Sequence, residues 1–199
     1  MLAIHLPAFG YQRQRWKNNL GWTREIAREP AAGDDFDWRL SLADIDQDCG
    51  FSRFPGCQRS LVLLSGNGMR FVFDDGEVVD LDPPHGRCDF SGDRELSCEL
   101  RDGPTQDFNL IWRPDRVDAL LLHRPLVGSM VFFAEPGSEW LIFNLAGRAT
   151  VNVAGTHINL EPQDSVRLHP LGEQSRAQLE GAGELLIIKL ERRSPDNQT

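Results

Sequence analysis

The chain has 199 residues, 40% of them hydrophobic and 26% charged, with a formal net charge of −9 and a pI near 5.0. That length holds one large domain or two small ones with self-sufficient cores, and the composition excludes wholesale disorder. The acidic balance repels phosphate backbones and anionic lipid, and no apolar run reaches bilayer-spanning length, so nucleic-acid and membrane partners are not expected.

In chain order, MLAIHLPAFGYQRQRW opens apolar but has no basic segment followed by a long apolar one, so it does not read as an export signal and a cytoplasmic location is expected. RWKNNLGWTREIA (Arg15–Ala27) is too polar for a core element and too aromatic for an idle loop. Its Lys17-Asn18-Asn19-Leu20-Gly21 stretch predicts a turn. The strand after it places Trp22, Arg24 and Ile26 on one face and Thr23, Glu25 and Ala27 on the other. Phe36, Trp38, Leu40 and Leu42 alternate with Asp37, Arg39 and Ser41, the period of a half-buried strand. Asp44, Asp46 and Asp48 alternate as in a calcium loop, but no terminal Glu completes a ligand set, and a solvated loop is expected.

Further strands are predicted at Leu61–Leu64, on both arms of FVFDDGEVVDL around Asp75-Gly76, at Leu96–Leu100 and at Phe108–Trp112. PDRVDALLLH suggests a helical turn or two, and WLIFNL, ATVNVAG, HINL, SVRLHP and ELLIIKL read as the later strands. Cys49, Cys57, Cys88 and Cys98 show no C-x-x-C spacing and read as reduced thiols.

Gly76–Pro83 (GEVVDLDP) and Gly155–Pro162 (GTHINLEP) match at an offset of 79 residues, which also pairs Gly68 with Gly147 and LVLL with WLIF. A Pro-Gly turn, Pro55-Gly56 or Pro136-Gly137, precedes each block. The repeat predicts a duplicated all-β unit. The pattern resembles the cupin superfamily, implying a bicupin of two jelly-roll β-barrels (the double-stranded β-helix), with repeat cores near 20–113 and 126–192. The expected division is an N-terminal barrel at 1–113, a linker at 114–125 and a C-terminal barrel at 126–199.

Many cupins hold a metal with an H-x-H pair, a Glu and a distant His. The equivalent positions here carry Phe132, Phe133 and Ala134, then Glu139, then Ser175, and the first half offers Phe51, Ser52, Arg53 and Phe54. Both barrels are therefore expected to be metal-free and without cofactor, with His85 and His169 as rim or core residues. No G-x-S-x-G elbow, P-loop or dinucleotide fingerprint occurs.

The ordered set WKN–x–x–G–x–TREIA, DFDWRLSLADI, FSRFPGCQRSLVLLSGNGM and GPTQDFNLIWR resembles the HutD/Ves family of bacterial proteins over nearly the whole chain. The resemblance implies a cytosolic bicupin, tied in the HutD branch to histidine utilisation through regulatory binding of a small acidic intermediate; the Ves branch is named for stress induction. Carried over to this sequence, it places Trp16, Lys17, Asn18, Thr23, Arg24, Glu25, Phe54, Arg59, Asp107 and Asn109 around a first-barrel pocket. One departure is that the family commonly has WKNGGG-x-T where this chain has WKNNLGWT, keeping Gly21 alone of the three glycines.

Lys, Arg, Asn and Thr together supply the charge and donors that bind a small carboxylate, the first reading, with Lys17, Arg24 and Arg59 as cationic contacts. Asp107, if buried, would require a cation such as Arg24, Arg59 or Lys17. An isomerase, lyase or hydrolase using Glu25 or Asp107 with Lys17 is a second reading. The third is a structural protein whose second barrel, filled by Phe132, Phe133 and Trp140, supports oligomerisation such as a homodimer.

Overall fold

The computed structural model describes residues 1–16, 19–33, 35–173 and 175–193, so Lys17 and Asn18 lie outside the described residues. The fold is all-β, with one short 3-10 turn at Ala8–Gly10 among the described residues. The chain forms two compact units, Gln12–Pro114 and, separately, Met1–Tyr11 together with the chain from Asp115 onward. The first strand, β1 (Leu2–Leu6), belongs to the latter.

The Gln12–Pro114 unit contains β2 (Gln12–Arg15), β3 (Gly21–Glu29), β4 (Trp38–Ile45), β5 (Cys49–Gly50), β6 (Gln58–Ser65), β7 (Met69–Phe73), β8 (Val78–Leu81), β9 (Arg87–Ser91), β10 (Leu96–Leu100) and β11 (Thr105–Trp112). They form two sheets, ordered β2-β3-β4-β11-β6-β9 and β5-β10-β7-β8. Ile45, Leu61 and Leu63 from the first cluster with Met69, Phe71, Phe73, Leu81 and Leu96 from the second, all at most 3% exposed. Phe71, Phe73 and Phe90 meet edge to face with centroids 5.5–6.4 Å apart, the arrangement that ring quadrupoles favour. Cys49, Cys57, Cys88 and Cys98 are free and buried.

The other unit contains β12 (Val117–Ala134), β13 (Ser138–Val153), β14 (Thr156–Leu160), β15 (Ser165–His169) and β16 (Ser175–Arg192). Its sheet runs β1-β15-β13-β16-β12, with β14 also on β13. Ile142, Val151, Leu160, Val166, Leu179, Leu185 and Ile187 form the centre of its core. Phe132 packs there against Trp140 at 5.3 Å. Phe133, expected beside them, instead points outward and is 66% exposed, because alternation along β12 sends successive side chains to opposite faces.

PDRVDALLLH was expected to coil, but its residues from Val117 onward are strand, hydrogen-bonded along β16 from Val117↔Arg192 to Ala134↔Ser175. Ladder pairing overrides a weak local helical preference. WLIFNL and ATVNVAG are likewise one strand, β13, bent at a register shift between Asn144 and Ala146. Buried Asn144 secures that bend by donating from Nδ2 to the carbonyls of Gly147 at 3.1 Å and Leu160 at 3.0 Å.

The offset of 79 recurs in the pairing. β6 pairs with β9 as β13 pairs with β15, and β7 pairs with β8 as β13 pairs with β14. Leu81 and Leu160, matched by the repeat, are both buried.

β13 and β16 approach most closely at the bend. A Cβ added to Gly183 would sit 1.9 Å from the Ala146 carbonyl oxygen, and one on Gly147 would sit 2.1 Å from that of Ala182. Backbone cannot retreat as a flexible side chain can. Gly183→Ala is therefore expected to lower unfolding stability by at least about 2 kcal/mol, read as a drop in the urea midpoint. An unchanged midpoint would show that the close approach is not required.

Candidate functional site

The sheet containing β3, β4, β11 and β6 has two different faces, set by alternation and register. Cross-strand rungs place Thr23, Ala43, Asp107 and Leu63 in one row, then Glu25, Ser41, Asn109 and Leu61, then Arg39, Ile111 and Arg59. The opposite face carries Leu40, Leu42, Val62, Phe108 and Leu110, all at most 1% exposed. Both faces are thus largely withdrawn from water, and on the first face Thr23, Arg39, Ser41, Arg59 and Asn109 line a hollow.

A cavity of about 380 Å³ opens on that face, within the range of small-molecule sites. Its walls are Thr23 from β3, Arg39, Ser41 and Ala43 from β4, Asn109 and Ile111 from β11, and Arg59 from β6. The segment from Gly50 to Phe54 and the hairpin residues Gln14–Trp16 close it.

The hairpin is built by short contacts. Trp16 N–H donates to the Gly21 carbonyl at 3.1 Å, and Asn19 adopts a left-handed φ of 59°, which asparagine tolerates better than most residues. A Cβ on Gly21 would lie 2.6 Å from the Asp44 carbonyl oxygen and 3.0 Å from the Trp16 ring, so this position admits no side chain. Leu20 packs on the apolar core. The Trp16 indole N–H donates to Thr23 Oγ1 at 2.8 Å, leaving the Thr23 hydroxyl proton for another acceptor.

Arg59 is 4% exposed. Its guanidinium lies over Phe90 at 4.9 Å and over Phe51 and Phe54 at 5.4 Å each, cation–π contacts that compensate partly for lost hydration. Nη1 donates to the Ser52 carbonyl at 3.3 Å, and Nε has no hydrogen-bond partner among the described residues. Burial lowers its pKa to about 10, with Asp107 opposing the shift, so it remains cationic at neutral pH.

Asp107 is fully buried, and neither carboxylate oxygen has a hydrogen-bond partner among the described residues. Desolvation pushes its pKa up to about 8, against the pull of Arg59 and with a smaller push from Asp44. A carboxylate so deeply buried, without an ion pair among the described residues, holds its proton. At neutral pH Asp107 is therefore an acid, and Arg59 has no compensating charge from it.

Of the residues named from sequence, the cavity brings together Trp16, Thr23, Phe54, Arg59 and Asn109. Asn109 Oδ1 has no partner among the described residues. Asp107 is not itself part of the lining but shares a cross-strand row with Thr23 and Ala43, which are. Glu25 is held in a 2.8 Å ion pair with Arg39. Arg24 lies on the opposite face and pairs with Asp44 at 3.2 Å, as its alternation with Thr23 and Glu25 dictates. Arg39 and Ser41 were not named as site residues from the sequence. The signal lay in DFDWRLSLADI, where burying Trp38, Leu40 and Leu42 sends Arg39, Ser41 and Ala43 to the other face.

In the second unit, Glu139, expected at the cupin Glu position, is tied by Arg167 Nε at 2.6 Å and lies 3.3 Å from His169 Nδ1. No described helix is long and apolar enough to cross a membrane.

The family model for HutD matches residues 8–187. The chain is 37% identical over 187 residues to an uncharacterised 21.2 kDa protein in the region 3′ of hutC from Pseudomonas putida, covering 93% of this chain and 95% of that protein. It is 36% identical over 102 residues to protein Ves of Escherichia fergusonii, about half of each chain. Among solved structures, HutD from Pseudomonas fluorescens SBW25, in a formate condition, superposes with a TM-score of 0.83 at 34% identity, covering 97% of this chain and 100% of that one. The conserved protein PA5104 of Pseudomonas aeruginosa PAO1 gives 0.84 at 33%, covering 98% and 100%. The cupin-like pirin YhhW of Escherichia coli, in complex with nickel(II), shares the fold alone, with a TM-score of 0.67 at 9% identity and coverage of 96% and 98%.

The raised pKa of Asp107 has a calculable sign. Below about pH 4 the residue is protonated whether folded or unfolded. Between there and about pH 8 only the unfolded chain ionises, so stability falls as pH rises through that window. Asp107→Asn, which has no carboxyl proton to lose, is expected to gain stability relative to the wild type from pH 5 to 8.5, by an amount on the order of a few kcal/mol. Urea unfolding at a series of pH values measures it, and parallel curves for the two proteins would contradict the raised pKa.

Proposed function

Because this chain belongs to the HutD family, we propose that it is a metal-independent bicupin that binds a small carboxylate and takes part in the regulation of histidine utilisation or a stress response in the cytoplasm. Each unit would be one cupin-like barrel, with the ligand in the Gln12–Pro114 unit. The observation that carries the ligand class is Arg59: a buried guanidinium on a cavity wall, ringed by aromatics and without an ion pair among the described residues. An anion would supply its missing counter-charge and hydrogen-bond acceptors. Thr23, Ser41 and Asn109 add neutral donors around the same space.

The position of the Pseudomonas putida relative beside hutC supports a role in the histidine pathway. Candidate ligands are therefore carboxylates of that pathway, such as urocanate and N-formylglutamate. Binding is favoured over turnover because Glu25 is engaged by Arg39 and Asp107 is not among the residues that line the cavity.

Calorimetry at pH 6.5 with formate, urocanate and N-formylglutamate tests the proposal. At least one ligand is expected to bind saturably, and Arg59→Ala should weaken it roughly 30-fold or more, as expected when a buried charge loses its partner. No binding by any of the three, or equal binding by Arg59→Ala, would refute it.

A further inference from the structure

Asp107 is not explained by binding alone. It is a fully buried carboxyl with two partnerless oxygens among the described residues, two rungs from Arg59 on the face that carries the cavity. Between them stands the Asn109–Leu61 rung, and Asn109 lines the cavity. An apolar residue at 107 would avoid the desolvation cost, so a purely structural role does not account for an acid there.

The charged and titratable groups around it are few among the described residues. They are Arg59 from β6, Asp44 from β4, and the thiols of Cys49 from β5 and Cys98 from β10. Burial raises Cys49 to about 11 and Cys98 further, so both thiols stay neutral where Asp107 titrates. Asp44 is engaged by Arg24 and by Gln106 at 2.7 Å. Ala43 and Leu63, its neighbours across the strands, carry no charge. Within this group Arg59 is the cation free of an ion pair with a described carboxylate.

We propose that Asp107 is a proton gate for the carboxylate pocket, admitting an anion to Arg59 while it is a neutral acid and excluding it once ionised. The inference rests on the carboxylate reading of the cavity. Two arrangements balance the Arg59 charge, an anion in the cavity with Asp107 protonated, or an ionised Asp107 with the cavity free of anion. Both negative charges together would place like charges beside Arg59 in a largely buried space, where the other guanidiniums on the cavity wall, Arg15 and Arg39, are already paired with Asp46 and Glu25, which is unfavourable. Binding at alkaline pH therefore takes up one proton from solvent onto Asp107, and release returns it.

Formate, fully ionised from pH 6 to 9, is a suitable probe. Its affinity for the wild type is expected to be flat at the acidic end and to weaken roughly tenfold per pH unit above the Asp107 transition. Titrations at pH 9 in buffers of different ionisation enthalpy should show close to one proton taken up per formate bound. Asp107→Asn should bind formate with little dependence on pH. Because the proton count is made on the wild type, a variant that fails to fold does not decide the matter. Binding with the same affinity from pH 6 to 9 and no proton uptake would overturn the gate while leaving the carboxylate pocket intact. Absence of binding even at pH 6 would overturn the pocket reading, and the gate with it.

Discussion

A buried guanidinium on a cavity wall, without an ion pair among the described residues, organises the candidate site. Arg59 reaches that position because β6 alternates Arg59, Leu61 and Leu63 toward the interior. Three aromatic rings and one main-chain carbonyl are what the fold offers it. These contacts are weaker than an ion pair, so the charge remains available to a ligand. The same burial keeps Asp107 protonated, and the two features are one electrostatic arrangement.

The surrounding chain either walls this hollow or is kept out of it. Alternation splits TREIA between the cavity and the reverse face, so Thr23 serves the pocket while Arg24 is tied to Asp44. The backbone bond from Trp16 to Gly21 and the indole bond to Thr23 hold the Trp16 ring on the cavity wall. Asn19 and Leu20, which stand where the resemblance led glycines to be expected, are accommodated by a left-handed φ at the asparagine and by packing of the leucine on the core.

Much of this was legible in the sequence. Period-2 patterns located most strands, and the Asp75-Gly76 hairpin and the 79-residue repeat correspond to observed pairings. Arg39 and Ser41 were less legible because alternation reports which residues share a face, not whether the second face meets water. Phe133 was misplaced because its strand's phase cannot be read from an apolar run. The continuity of β13 and β16 was hidden by glycines that look like turn signals but permit backbones to touch. Asp107 was expected to require a cation in contact; the structure instead meets the cost of burial with a proton.

The account stands on the protonation state of that one side chain. Carbon-13 NMR of the Asp107 carboxyl, titrated in the ligand-free protein and assigned with Asp107→Asn, reads it directly. The account predicts a midpoint near 8. A midpoint near the ordinary value of 3.8 would mean that Asp107 is already ionised at neutral pH, that Arg59 is compensated from within, and that the cavity has no unbalanced charge to offer an anion.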